Sequence, residues 1–399
     1  MRNGLAATIA AQLASAPLAL PAFHLLAPAS PLLNLVAVPW TAVALAIGLL
    51  WSATAVAVPA VAAAAVPVLD WMAAPYGWPA LGPPQAWGTV ALAAFPVPCT
   101  LAAAAIACVL VRPRRLAAWA GALTMAVAAV GWGSPGSASG PGAPVELIML
   151  DVGQGDSFLL RDGRHAILVD GGGWRRGDFG GRVLLPALLG EGVSRLDVAV
   201  LSHPDSDHCS GLLDLASYLP IDELWTAEGQ TGSVCGDALS AAPGVHPHPL
   251  AAGDVLQVGR WRFDVLHPPR HPPRTGGDND RSLVLAADSL GRRCLLTGDV
   301  EAEAERSFAA RLGRPFDILK VAHHGSKTST TLPFLDAVHP RLALISAGPR
   351  NPYGHPAAPI LARLARARIR VLRTDLQGEV RLTWTQDGPI QIQLPGSRR

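Results

Sequence analysis

Between residues 1 and 133 this chain carries a single acidic side chain, Asp70, and no lysine. A water-soluble domain of that length needs charged groups on its surface; this stretch is built of Ala, Leu, Val, Pro and Trp instead. Such a composition points to lipid as the solvent. A helix needs about 20 apolar residues to cross the hydrocarbon core, and segments 5–27, 35–69, 87–111 and 116–132 are candidates. Pro17 and Pro21 would kink the first or make it re-entrant. The second is one tilted helix with breaks at Pro59 and Pro67, or a hairpin. A cleaved leader is the alternative for the first, given Arg2 and the small residues after it. A buried soluble bundle would need a polar face that these segments lack. Arg112, Arg114 and Arg115 form a basic loop between the last two spans, which the positive-inside rule places in the cytoplasm. The region after the last span then lies on the extracytoplasmic side of the plasma (inner) membrane, and the chain is expected to be multi-pass, in contact with the lipid bilayer.

The expected domains are therefore transmembrane helices over 1–133, a linker over 134–144 and a soluble domain over 145–399. The linker is Gly, Ser, Pro and Ala throughout. Net charge is only +2, so the whole chain is no electrostatic trap for nucleic acid. Lys320 and Lys327 are the only lysines. Cys99, Cys108, Cys209, Cys235 and Cys294 show no paired spacing and no CxxC, which indicates neither a disulfide framework nor a thiolate zinc site. Cys209 directly follows His208 and could face the same site.

In the soluble part, strand-like runs cover 145–150, 157–160, 166–169, 196–201, 223–225, 262–266, 282–287, 294–296, 318–321, 342–346, 369–372 and 380–384. Helical runs cover 182–189, 211–218, 300–312, 331–338 and 357–367. The early strands come as hairpins, one of them turned at Asp162-Gly163, and the later ones alternate with helices. Two sheets flanked by helices, an α/β sandwich of αββα type, fit this order.

After the apolar run 196–201 comes His203-Pro204-Asp205-Ser206-Asp207-His208. Two imidazoles and two carboxylates within six residues are costly unless a cation neutralises them. The bland reading is a polar loop capping a helix through Asp207, but a cap needs one such residue. The motif resembles the His-x-His-x-Asp-His signature of the metallo-β-lactamase superfamily, with Asp205 at the second His. That departure is similar to one branch, the C-terminal domain of the ComEC/Rec2 competence family. Asp151-Val152-Gly153-Gln154-Gly155-Asp156-Ser157, Thr297-Gly298-Asp299, His323-His324-Gly325-Ser326 and Tyr353-Gly354-His355-Pro356 resemble further motifs of that family, in its order. The family's longer membrane region and N-terminal soluble domain are expected to be missing or shortened here, so the chain resembles the family's C-terminal part.

The resemblance implies a hydrolase with one or two divalent ions and an activated water between them. His203 and Asp205 would bind the first ion, Asp207 and His208 the second, and Asp299 would bridge. His324 is expected as the second ion's last ligand, with His323 facing the substrate, or the two in the reverse order. The superfamily's further His on the first ion has no clear counterpart: His246, His248, His267 and His271 lie in Pro-rich contexts that suggest surface loops. Asn279, in Asn279-Asp280-Arg281-Ser282, would stand in. Oxygen-rich ligation makes Mn²⁺ as plausible as Zn²⁺.

Asp151 and Asp156 either support the site or cap a glycine turn. Asp170-Gly171-Gly172-Gly173 reads mainly as a turn, though glycine backbone near a metal can admit a phosphate. His355 is a candidate general acid or phosphate ligand, so Asp207, His323 and His355 form the catalytic expectation. Ser326 and Lys327 are candidate phosphate contacts. His165 and His339 read as structural or surface residues. Arg363, Arg366, Arg368, Arg370 and Arg373 read as a solvated face, or else a path for DNA. The implied role is a membrane-anchored nuclease in natural transformation, with single-stranded DNA, other uptake machinery and possibly a separate N-terminal channel part as partners. The rivals are a channel component with a structural or vestigial metal site, and a tethered hydrolase of non-nucleic phosphodiesters. Fold alone does not choose among them.

Overall fold

The computed structural model describes residues 25–26, 30–57, 66–70, 72, 90–91, 142–173, 177–230, 233–272, 277–349, 351–386 and 388–395. The chain divides into two units, one of residues 1–134 with 189–192, the other of 135–188 with 193–399.

In the first unit, helix α1 spans Ser30–Ala57. Its Ala37–Ala55 stretch is, among the described residues, the one helix long and apolar enough to cross a membrane. The hydroxyls of Thr41, Ser52 and Thr54 donate to carbonyls one turn back, so these polar groups are satisfied within the helix. Leu25–Leu26 and Val90–Ala91 form a short antiparallel pair, where the sequence suggested helical spans. The span expected over 116–132 lies outside the described residues, as does most of those over 5–27 and 87–111.

The second unit holds two sheets. Its first part runs β1 (Val145–Met149), β2 (Phe158–Asp162), β3 (His165–Val169), α2 (Leu185–Gly190), β4 (Leu196–Leu201), α3 (Ser206–Leu215), β5 (Ile221–Ala227), α4 (Val234–Ser240) and β6 (His246–Leu250). There follow β7 (Val255–Val258), β8 (Trp261–His267), β9 (Val284–Ser289), β10 (Arg292–Leu296), α5 (Ala302–Phe308), β11 (Ile318–Lys320), α6 (Leu332–Val338) and β12 (Leu342–Ile345). The chain closes with α7 (Ala358–Arg366), β13 (Arg370–Arg373), α8 (Thr374–Gln377), β14 (Val380–Trp384) and β15 (Gln391–Gln393). The eight-stranded sheet has order β15-β14-β1-β2-β3-β4-β5-β6, and the seven-stranded one β13-β12-β11-β10-β9-β8-β7. Each mixes hairpin-linked antiparallel strands with parallel strands joined through helices: β3 to β6 in one sheet, β10 to β13 in the other.

Side chains alternate across each strand, and this sorts the core into layers. Val265 and Leu285 face the layer between the sheets, beside Trp225, Trp261, Phe263 and Trp384. Their neighbours Leu266, Val284 and Ala286 face the helical layer with Phe308, Phe334 and Leu364. Trp261 and Trp384, one from each sheet, meet edge to face at 5.5 Å.

Every expected strand is found. Helix α3 begins at Ser206 rather than Gly211, so Asp207 and His208 lie inside its first turn. Its N-cap is Asp205, whose side chain makes no capping bond, while Asp207 is the acidic residue of the first turn. Arg370 lies at the start of β13, the end of that sheet away from residues 299 and 323–324. Arg363 is spent on the carbonyls of Ser329 and Thr330, and Arg373 on Asp375. The arginine cluster therefore gives no continuous track toward the ligand motifs.

Candidate metal centre

The candidate ligands gather where strands end. His203 follows β4, Asp299 follows β10, His323 and His324 follow β11, Asp170 follows β3, and Asp156 precedes β2. Loops at the carboxyl ends of parallel strands are the place where such a fold can converge side chains from distant sequence.

Three imidazoles, His203, His208 and His324, are buried here, with ring centroids 4.1 Å apart for the first two and 5.2 Å for the last two. Each has its Nδ1 engaged on the outer side. His203 Nδ1 meets the Ser202 hydroxyl at 3.1 Å, which itself donates to Asp170. His208 Nδ1 donates to the Asp170 carboxylate at 2.9 Å, and His324 Nδ1 to the Ser346 carbonyl at 3.1 Å. The three Nε2 atoms are buried and have no hydrogen-bond partner. A buried polar atom without a partner costs free energy unless something else meets it. Here the orphans converge on carboxylates: Asp299 Oδ2 lies 3.3 Å from both His208 and His324 Nε2, and Asp207 Oδ2 lies 3.5 Å from His324 Nε2. Asp205 Oδ2 stands 3.7 Å from His203 Nε2 on the half-exposed side. Imidazoles locked at Nδ1 and bare at Nε2, mixed with carboxylates, suit a borderline divalent ion.

The electrostatics fit an ion that must be matched in charge. Burial pushes the Asp299 carboxyl up, but His324, His208 and Lys320 outweigh it and hold the carboxyl well below the usual range. Burial would lower the His208 and His324 pKa values, yet Asp299 with Asp170 or Asp156 raises both well above the ordinary value. Metal binding then has to displace protons from these rings.

Asp156 is buried and belongs with His208, Asp299 and His324 in one tight cluster of possible ligand groups. Its carboxylate approaches the Nδ1 side of His324 at 3.4 Å and of His208 at 3.8 Å, and pairs with Lys320. Asp156 thus stands behind the rings, whereas Asp207 and Asp299 stand in front. Asp151 is exposed and accepts from the Gly153 amide, a turn cap. Gly155 is needed where it is: its φ is +109°, and a Cβ would come within 2.1 Å of the Asp207 carbonyl oxygen.

His323 and His324 both take left-handed backbone, φ 51° and 52°, an uncommon pair for non-glycine residues. The turn sends the two rings apart. His324 enters the cluster. His323 stays at the rim, with Nδ1 3.3 Å from Glu301 and 3.5 Å from Asn279. His355 lies 5.7 Å from His323, ring to ring, and its Nδ1 is buried without a partner. Asn279 therefore meets His323 rather than the histidine cluster. Ser326 bonds Thr328, and Lys327 is exposed.

Several expectations need correction. Asp170 is not simply a turn residue: it is buried, and its carboxylate also holds the Ser202 amide and hydroxyl. Gly171 and Gly173 pack against helix α3, where a Cβ would clash with Leu212 or Ser210, so they form no phosphate cradle. His267 is buried, its Nε2 on the Asp280 carbonyl at 2.8 Å, because the β8 strand runs further than its prolines suggest. Cys209 is bonded to Cys235, tying α3 to α4, against the expectation of no disulfide. Lys320 was not singled out. It is buried on β11 and donates to Gly298 O at 2.5 Å and Asp299 at 3.1 Å.

This arrangement of two sheets with a cluster of candidate metal ligands at their strand ends is that of the metallo-β-lactamase superfamily, whose sequence profile matches residues 150–348; the competence-protein profile matches residues 1–117. The chain carries both matches in tandem and is similar to proteins of the ComEC/Rec2 competence family. It is 36% identical to ComE operon protein 3 of Bacillus subtilis over 59% of this chain and 32% of that protein. It is 37% identical to Recombination protein 2 of Haemophilus influenzae over 60% of this chain and 29% of that protein. The chain thus spans about a third of the length of these relatives. Among solved structures, the metallo-beta-lactamase fold protein YhfI from Bacillus subtilis aligns with 63% of this chain and 99% of its own, at 12% identity and a TM-score of 0.39.

Proposed function

We propose that this chain is the hydrolase-bearing part of a DNA-uptake system and cleaves phosphodiester bonds of incoming DNA in a divalent-metal-dependent reaction. The observation that carries the reading is the convergence of three buried, unpartnered Nε2 atoms with the carboxylates of Asp205, Asp207 and Asp299. His203, Asp205, Asp207, His208, Asp299 and His324 would hold one or two ions, Mn²⁺ or Zn²⁺. A bound ion supplies Lewis acidity and an activated water. The protein's own groups do the rest. Asp170 and Ser346 fix the ring orientations of His208 and His324. His323 and His355 stand side by side at the rim, where they would meet phosphate oxygens or the leaving group. DNA as substrate rests on the family, whose members carry competence and recombination names.

The hydrolase domain is assigned to the extracytoplasmic side. The Cys209–Cys235 bond supports this, since disulfides persist in oxidising compartments. The basic loop at 112–115 supports it independently.

The test is cleavage of single- and double-stranded DNA by the full chain in nanodiscs, with EDTA, Zn²⁺, Mg²⁺ or Mn²⁺, beside Asp207→Ala. Metal-dependent cutting lost in the variant is expected. Metal-loaded, folded protein that cuts small phosphodiesters but not DNA would move the substrate elsewhere. Protein that binds metal and cuts neither would make the centre structural.

A further inference from the structure

We infer that Tyr353 is a stacking platform for a nucleobase of the bound strand, a subsite that rests on the reading of DNA as substrate. Among the described residues, Tyr353 is the only Phe, Tyr or Trp side chain that is exposed, at 63%. A tyrosine suits such a place, its ring offering an apolar face while its hydroxyl stays in water. This ring is also connected to the metal centre by a series of rings. It lies nearly parallel to His355, 14° between planes and 5.9 Å between centroids. His355 stands 5.7 Å from His323, and His323 6.3 Å from His324. The series runs from the buried ligand cluster outward, each step being the separation of one aromatic pair.

The turn that presents Tyr353 is fixed. The Asn351 side-chain amide donates to the carbonyls of Gly348 and His355, at 2.9 and 2.6 Å, and its oxygen accepts from the His355 amide at 3.0 Å. Gly354 supplies the positive φ of +70° that the turn requires. The Tyr353 ring runs nearly parallel to His355 on a turn held by Asn351, so a base arriving from solvent meets a preorganised surface and loses little entropy on docking. Stacking is tolerant of base identity, because every base has a π face. That matches a protein acting on strands of arbitrary sequence. The polar sugar-phosphate backbone would then pass toward His355 and His323, leaving a neighbouring phosphodiester at the ion.

The experiment uses the full chain in nanodiscs with Ca²⁺. Two fluorescein-labelled probes are bound and followed by anisotropy: an oligothymidylate and an abasic sugar-phosphate chain of equal length. The wild type should prefer the base-bearing chain. Tyr353→Ala should weaken oligothymidylate binding by about tenfold and leave the abasic chain unchanged, while Tyr353→Phe should keep the preference. Equal binding of both probes by the wild type, or an unchanged preference in Tyr353→Ala, overturns the subsite. Cleavage is scored separately. A base preference lost with the ring in a protein that never cuts DNA retains the subsite and removes the nuclease. Cutting that survives alongside an intact preference in Tyr353→Ala does the reverse.

Discussion

The carboxylate of Asp170 serves three donors at once, the Ser202 amide, the Ser202 hydroxyl and His208 Nδ1. His208 cannot turn without breaking a buried charge-assisted bond. Asp170→Asn keeps the shape and removes the charge, and should weaken metal binding by about 10- to 100-fold, as outer partners of ligand histidines do. Chelator competition measures it, and an unchanged affinity would take Asp170 out of the centre. Lys320 presents the other residue-level problem. It is the cation for Asp156 and Asp299, and all three are buried. Lys320→Met should cost the metal-free protein about 3–5 kcal/mol, the usual penalty for a buried charge stripped of its partner. Adding Asp156→Asn should recover part of that loss in denaturant melts; a strictly additive double variant would show that the pair is not coupled. The six candidate ligands stand out in the sequence because they crowd into short motifs dense in imidazoles and carboxylates. Asp170 and Lys320 do not. An aspartate before three glycines looks like a turn, and the lysine sits in an apolar strand, where only its rarity and its place just before His323-His324 hint that it must be paired.

Helix α3 delivers Asp207 and His208 from its first turn, so its seat decides where they point. Gly171 and Gly211 let the loop after β3 approach it, a Cβ on Gly211 falling within 2.0 Å of the Gly171 carbonyl oxygen. From the other side the Cys209–Cys235 bond ties it to α4 across 26 residues. Closing a loop of that size contributes about 2–4 kcal/mol by restricting the unfolded chain. Cys235→Ser should lower unfolding stability by that amount, and wild type under reductant should match the variant. A melting curve that ignores both would mean the staple constrains nothing. At this scale most strands were readable from their apolar runs, though the edge strands β7 and β15 escaped. β6 was not, being His-Pro-His-Pro-Leu at the sheet's outer edge, where exposed proline is tolerated because one side of the ladder needs no donor. The disulfide was equally invisible, since pairing depends on α3 and α4 lying side by side and not on spacing.

Across the whole two-sheet unit, what joins the sheets and what builds the candidate centre lie at opposite ends of the same strands. Asp156 precedes β2 at the metal end; Asp162, at the far end of β2, accepts from the Arg260 amide and guanidinium in the turn between β7 and β8 of the other sheet. Arg260 also reaches the Ala143 carbonyl, and the Trp261 and Trp384 indoles donate across to Arg161 and Ser289. Burial raises the Asp162 pKa, but the bonds and charge of Arg260 more than offset this and leave it below the ordinary value. A carboxyl whose folded pKa is depressed binds fewer protons folded than unfolded. It adds stability above its unfolded pKa of about 4 and loses it as pH falls through the lower folded value. Arg260→Met should therefore be less stable than wild type at neutral pH, and the gap should narrow on acidification until the two curves meet. The centre's own carboxylates titrate in acid as well, so both proteins are melted in EDTA and only their difference is read, which cancels contributions from the distant end. A gap that stays constant into acid would show that Arg260 holds the sheets by packing and its bond to Ala143 rather than by charge. Metal affinity should not change in this variant at any pH where it remains folded, because nothing at the Asp162 end touches the ligand rings.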